Sequence, residues 1–536
     1  MYLFLFPWAV FLFAALPPVL AQAADPAPDA VPEEELVSIE GEAEEEVGPA
    51  AEADAESAEE TEEAEEPPEP EVASIEAAQE APPERPEEAS AFEKMMRALE
   101  RGDWEQARFE GAEDSPALER YALWRKLRAG RGEFGEYIAF LDEHADWPGL
   151  DLMHDRGERS IGTGEDPDAV VAYFGDKIPE TALGVLRLVE AHEARGEDGD
   201  AAALAVLAWR ARTLTAEVER ALLARHGEVL EPHHEARLDD LLWRDERSAA
   251  LRQMGRVGED WKKLAEARRA LRTRAAGVDA LIEAVPDALR NHPGLAWERY
   301  NWRIAKGLHE TAEELLMEQS STHEALGRPE MWSNYRRIYA RGRLRDGDAA
   351  EAYALASRHF LAEGSDFADL EWLAGFIALR FLKDPELAAW HFTRFGDSVE
   401  TPISLGRAGY WLGRAYTDLG DTEKARDAYA FGAQYQTSYY GLLAAEAAGL
   451  PMDPTLTGRE EFPDWRQTSF AKSEVLEVGL RMIEEGEMAE AERFLAHLSE
   501  ALTREEAASP GAVMLQVGRP HLALKIAKRV ARNGIM

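Results

Sequence analysis

Beyond Phe92 the apolar positions of the chain recur with the 3.6-residue period of a helix, and the period-2 alternation of a half-buried strand is nearly absent. Runs such as LEWLAGFIALRFL (Leu370 to Leu382) are apolar on every face, as a helix packed on both sides should be. The runs are punctuated by a small signature, a glycine followed five residues later by an alanine. It occurs at Gly102/Ala107, Gly307/Ala312, Gly347/Ala352, Gly420/Ala425, Gly486/Ala491 and Gly518/Ala523. The pattern predicts helical hairpins. The glycine ends one helix in the left-handed conformation that a side chain disfavours. Asp103, Asp348 and Asp421 follow as N-caps of the next helix. The alanine then sits where the two backbones approach. Most spacings between the glycines lie near one or two multiples of a ~34–40-residue helical pair, so the expected fold class is all-α, an α-superhelix of tetratricopeptide-like pairs.

The stretch from Tyr410 to Glu446 is the clearest copy. Leu412, Gly413, Tyr416, Gly420, Ala425 and Tyr429 fall at tetratricopeptide-like spacing. Ser438 is placed to cap a following helix. Tyr439 and Tyr440 are expected to bury their rings against the preceding pair, Gly441 to allow close packing, and Gly449 and Pro451 to end the helix.

The first 91 residues have another texture. MYLFLFPWAVFLFAALPPVLAQA, residues 1–23, reads as a secretory signal: an apolar run, helix-breaking Pro17 and Pro18, then the small-x-small site Ala21-Gln22-Ala23. Its n-region has no Lys or Arg, and an uncleaved membrane anchor is the alternative. Residues 24–91 are rich in Pro, Glu and Ala. Between Asp25 and Ser90 stand 26 acidic residues and one basic residue, Arg85. Apolar side chains there are too sparse to offset backbone entropy, so a disordered acidic tether is expected.

Composition and charge narrow the function. With 536 residues, 45% of them hydrophobic, the chain can bury a large core. It has no cysteine, which excludes disulfides, thiolate metal sites and a cysteine nucleophile. The net charge of −45 argues against a nucleic-acid backbone as partner. Four His-Glu dipeptides open at His192, His234, His309 and His323, but the fifth positions are Gly196, Leu238, Glu313 and Gly327, so none is a zinc-protease HExxH motif. His233-His234 is expected at a helix start, in a capping or surface role. Walker, Gly-x-Gly-x-x-Gly and Gly-x-Ser-x-Gly motifs are absent. No catalytic, cofactor-binding or metal-binding residue is assigned. Trp297, Trp302, Trp332, Trp372, Trp390 and Trp411 can stack on sugar faces, but their apolar helical settings favour core packing. Arg380, inside an apolar helix, is expected to pair with a buried acid or backbone carbonyls; contact with a glycan carboxylate is the sharper alternative.

Several segments also resemble, in order, the superhelical region of soluble lytic murein transglycosylases. They are DWPG (Asp146 to Gly149), HHEARLDDLLW (His233 to Trp243), GLAWERYNWR (Gly294 to Arg303), EWLAGFIALRFL (Glu371 to Leu382), TPISLGRAGYWLGRAY (Thr401 to Tyr416) and YYGLLAAEAAGL (Tyr439 to Leu450). The resemblance covers roughly Phe92 to Met536. It implies a superhelical domain over 92–451 and a helical linker domain over 452–536. In that family a lysozyme-like domain follows, which cleaves the MurNAc–GlcNAc bond of periplasmic peptidoglycan and leaves a 1,6-anhydro end. The family's catalytic Glu-Ser, Gly-Leu-Met-Gln and Ala-Tyr-Asn motifs have no counterpart in a catalytic context here. The one Glu-Ser, Glu56-Ser57, lies in the acidic tether, where nothing raises a carboxyl pKa as a general acid needs. The expected partners are peptidoglycan glycan strands and a lysozyme-like catalytic domain separate from or lost to this chain. No cofactor is expected. A periplasmic tetratricopeptide-like scaffold for protein–protein interaction is the second reading.

Overall fold

A computed structural model describes residues 89–457, 464–507 and 509–532. The signal segment, nearly all of the acidic tether and Glu56-Ser57 lie outside the described residues. Every regular element among the described residues is a helix.

The first, Ala91–Arg101, opens with a capping box: Glu93 N–H donates to Ser90 Oγ at 3.1 Å, and the Glu93 carboxylate accepts from Ser90 N–H. Hairpins then follow one another. All six signature glycines have positive φ, and all six partner alanines are buried. Asp103, Asp348 and Asp421 each accept a backbone N–H of the helix they open, as their chemistry predicts. Gly196/Ala201 is a further copy of the same signature, with φ +76 at the glycine and a fully buried alanine. Two more hairpins use the same geometry without glycine: Asp245 and Lys383 take φ +57, and Ala250 and Ala388 sit five residues on, buried. Lys383 falls midway between Gly347 and Gly420, so the regular run of pairs is unbroken there.

Around the clearest repeat the glycines act by size. A Cβ on Gly409 would stand 2.5 Å from the Gly432 backbone, and one on Gly413 would stand 2.5 Å from the Tyr429 ring. Helices Pro402–Leu419 and Thr422–Gly432 therefore pack backbone to backbone. Ser438 caps Tyr439–Ala448 by accepting from Gly441 N–H at 3.1 Å, and Gly449 ends that helix. Tyr440 is buried, but Tyr439 is 65% exposed, so one ring of the expected pair faces solvent. Consecutive residues on a helix point about 100° apart, and one of two neighbours falls outside the contact stripe.

The two described ends of the chain share one core. Phe494, in Met488–Leu498, stands 5.1 Å from Trp124, 5.5 Å from Trp147 and 5.9 Å from Tyr121, centroid to centroid. Arg120–Glu474 and Arg481–Asp114 pair across the seam at 2.8 Å each. The DWPG segment is the clasp. Trp147 is buried, the Pro148 carbonyl accepts from Trp124 Nε1 at 2.9 Å, and the Asp146 carbonyl faces His497 Nε2 at 3.1 Å. The path of hairpins thus closes on itself, and a solenoid's open edge is replaced by a dry aromatic seam.

Candidate functional site

Two of the quoted segments, HHEARLDDLLW and GLAWERYNWR, are brought together by helices His234–Trp243, Glu259–Thr273 and Pro293–Ala305. Between them lies a cleft of about 430 Å³ whose walls include Trp243, Trp297 and Trp302, with Arg272, Glu298 and Asn301. The outer face of Trp302 also lines a second hollow of about 320 Å³, with Arg299, Arg303 and Ile282. Trp302 and Leu271 line both spaces.

One buried and one half-buried arginine pack against Trp243 behind the cleft. Arg268 is fully buried; it pairs with Asp239, and its guanidinium lies 5.3 Å over the Trp243 ring. Burial pushes its pKa down. Arg328 covers the same indole at 5.5 Å and pairs with Asp240 at 2.5 Å, so two cations lie against the Trp243 ring. A Cβ at Gly294 would come within 2.3 Å of the Arg268 guanidinium, so the glycine that opens GLAWERYNWR is the space Arg268 needs.

Trp297 packs at 6.2 Å from Trp243 and 5.0 Å from Trp332. The next residue, Glu298, turns its carboxylate to Arg272, with Nε donating at 3.1 Å. Glu298 is 2% exposed, and burial raises its pKa although Arg272 opposes the shift. Arg272 also reaches Asp245 Oδ1 at 3.1 Å, at the hairpin turn with positive φ. One guanidinium thus holds both carboxylates. That ties them to structure and leaves the half-buried Trp302 ring, the part of the Asn301 amide not donating to the Trp297 carbonyl, and the outward arginines as the groups able to meet a ligand. Arg274 and Arg299 make no ion pair among the described residues and line the two hollows, in a chain of net charge −45. Aromatic faces with amide and guanidinium donors suit a saccharide carrying carboxylates.

No family model matches the chain, and a search of curated proteins also found no match. Among solved structures, an inactive mutant of the lytic transglycosylase Slt from Pseudomonas aeruginosa aligns over 83% of this chain and 72% of its own, with a TM-score of 0.53 and 15% identity. The chain has the Slt fold. The 70 kDa soluble lytic transglycosylase Slt70 from Escherichia coli covers 83% of this chain and 70% of its own at 13% identity, with a TM-score of 0.40. Its complex with bulgecin A scores the same, with 71% of that chain covered. Within this fold DWPG closes the seam, and the two segments of the cleft face each other.

The remaining candidates fall as follows within this Slt-like frame. Trp297, Trp332, Trp372 and Trp411 are buried, as their helical pattern predicts. Trp302 is half-buried on the cleft wall. Trp390 departs from expectation. It is 51% exposed, with the Arg394 guanidinium 4.5 Å over its ring, because its helix Pro385–Asp397 turns Ala388, His391, Phe392 and Phe395 inward instead. Arg380 ends Ser365–Arg380, half-buried. The buried acid of that helix is Glu371, which meets His391 at 2.6 Å, His359 at 3.2 Å and Arg394 at 2.8 Å. His233 is the N-cap of His234–Trp243, but its side chain makes no cap hydrogen bond; the His234 ring leans on Trp209 at 5.6 Å. His309 faces the Tyr339 hydroxyl at 3.2 Å, and His323 is exposed at the start of a single helical turn. His192 Nδ1 lies 2.7 Å from Glu197, which Arg195 also neutralises at 2.9 Å. Sequence reading missed the cluster of His154, Asp155 and Glu158 on Leu150–Glu158. Its signal was a histidine and a glutamate one turn apart on a helix facing inward.

Proposed function

We propose that residues 92–451 and 452–536 act as the superhelical and linker portions of a periplasmic, lytic-transglycosylase-like protein of peptidoglycan turnover. They hold glycan strands in the Trp243–Trp297–Trp302 cleft. Bond cleavage is done by a lysozyme-like module outside the described residues. The signal-like residues 1–23 support export, and among the described residues no helix is long and apolar enough to cross a membrane.

The observation that carries the proposal is the convergence of the two family-like segments on one tryptophan-walled cleft within an Slt-like fold. The pairing of buried Glu298 and exposed Asp245 through Arg272 supports binding rather than cleavage at this cleft, because one guanidinium holds both carboxylates and a glycosidase acid must be free to give up its proton to the leaving group. The test is to incubate the full chain with intact sacculi, sediment them, and analyse soluble products by mass. Co-sedimentation that weakens with salt and without release of 1,6-anhydro muropeptides is expected, because outward arginines on a net acidic chain are screened at high ionic strength. Anhydro products from the purified chain would contradict the division of labour. Failure to co-sediment at any ionic strength would favour a protein scaffold.

A further inference from the structure

We propose that His154, Asp155 and Glu158 form a binding site for a divalent first-row transition metal of the zinc class, separate from the tryptophan cleft. Their ligand atoms lie within 4.8 Å of one another, at the wall of a hollow of about 550 Å³. Glu158 is 1% exposed. Its carboxylate accepts from the backbone N–H groups of Glu180 at 3.0 Å and Thr181 at 2.7 Å, each oxygen taking one donor. Each oxygen keeps a further lone pair, and no Lys or Arg pairs with it.

The histidine is fixed from outside the cluster. Its ring stacks on Tyr173 at 4.5 Å and 13°, and its Nε2 faces the Tyr173 carbonyl oxygen at 3.3 Å. A carbonyl only accepts, so Nε2 carries the proton. In the neutral ring Nδ1 therefore presents a lone pair, and it stands 3.7 Å from Glu158 Oε1. A neutral Nδ1 and a carboxylate oxygen are both electron-pair donors, and a cation between them would be held by both. The separation is too long for a hydrogen bond. It matches two ligands on one ion, since bonds of ~2.0–2.2 Å at open angles put N and O roughly 3–4 Å apart. A backbone carbonyl that orients the second nitrogen is the usual support of a metal-binding histidine.

Asp155 adds a second carboxylate and makes no hydrogen bond or ion pair among the described residues. A turn about its side-chain torsions brings it onto the same ion. One imidazole and two carboxylates favour zinc or a neighbouring metal over magnesium and calcium, which take oxygen sets. Three protein ligands leave a fourth position, open to the hollow, for water or a ligand oxygen.

The test is titration of the full chain, first stripped with a chelator, with cobalt(II) followed by visible absorption and with zinc(II) followed by calorimetry. One equivalent with a ligand-field band is expected, displaced by zinc. Asp155→Asn should weaken affinity at least ~10-fold, and His154→Ala should abolish the band. Far-UV circular dichroism in chelator checks that each variant folds. If His154→Ala fails that check, Asp155→Asn decides, because Asp155 supports no other contact. Absence of a stoichiometric band overturns the proposal. So does a band unchanged in Asp155→Asn, or one removed by His192→Ala and kept by His154→Ala.

Discussion

The closing seam and the tryptophan cleft both use large aromatics, but they bury them against different neighbours. At the seam, Tyr121, Trp124, Trp147 and Phe494 meet ring on ring, the Trp124 N–H has a carbonyl partner, and the half-exposed guanidiniums of Arg128 and Arg125 cap Trp124 and Tyr121 at 4.6 and 5.8 Å. In the cleft, the guanidiniums of Arg268 and Arg328 lie against the Trp243 ring, and Nε and Nη2 of buried Arg268 find no hydrogen-bond partner within the protein. The first arrangement yields stability, since ring burial dominates core energetics. The second holds a fully buried cation with two orphaned donors, which costs stability.

The largest expected effect would separate these two regions. Phe494→Ala removes the ring that three others touch, leaves a cavity at the seam, and should cost about 3–5 kcal/mol. In urea unfolding, the variant should also lose protection from proteolysis at Arg120 and Arg481 before the cleft helices open. Simultaneous opening of seam and cleft would mean that they form one cooperative unit.

A comparable loss is expected on the charged side of the molecule for a different reason. Glu219 is fully buried and accepts from Arg237 and Arg252 at 3.0 Å each. Burial alone would raise its pKa, and the bonds from Arg252 and Arg237 outweigh that and lower it. Glu219→Gln leaves buried Arg237 without its counter-charge, at a cost of roughly 3–5 kcal/mol. Chemical unfolding measures it; a loss near zero would show that the Trp209 ring, 4.4 Å from the guanidinium, and the Trp209 and Arg212 carbonyls that accept from Nη1 already satisfy Arg237.

A smaller effect is expected in acid. Burial pushes the Glu371 carboxyl up, but hydrogen bonds from His359 and His391 outweigh it and hold it at about 2. An unfolded Glu titrates near ~4.3. The folded value is the lower one, so Glu371 stabilises above the unfolded pKa, and that contribution is lost as pH falls through the folded value. Stability should therefore decline between about pH 4.5 and 2, and more shallowly in Glu371→Gln. Equal slopes in the two proteins would remove Glu371 as a cause.

The hairpins were legible because glycine marks the left-handed turn in the residue string itself. The turns at Asp245 and Lys383 were not, because a side chain there hides the same backbone conformation. The tryptophans show the second limit. Trp302 and Trp390 share an apolar helical setting with Trp297 and Trp411, yet one walls a cleft and one faces solvent. Facing is decided by which stripe the neighbouring helix covers, and that partner lies far along the chain. The cleft joins Trp243 to Trp297 and Trp302, and no local pattern encodes their meeting. The His154 cluster stayed hidden for a related reason: the tautomer that defines it is set by the Tyr173 carbonyl on the next helix.

The most direct measurement is a tryptophan-fluorescence titration with a soluble glycan fragment carrying its lactyl and peptide carboxylates. It compares the full chain with Trp302→Ala and Trp390→Ala. A saturable change that is retained in Trp390→Ala and weakened at least ~10-fold in Trp302→Ala is the result expected, since one stacked ring is worth about 1–3 kcal/mol by truncation. Binding that survives in Trp302→Ala and is lost in Trp390→Ala would contradict the account and move the glycan to the exposed Trp390–Arg394 face.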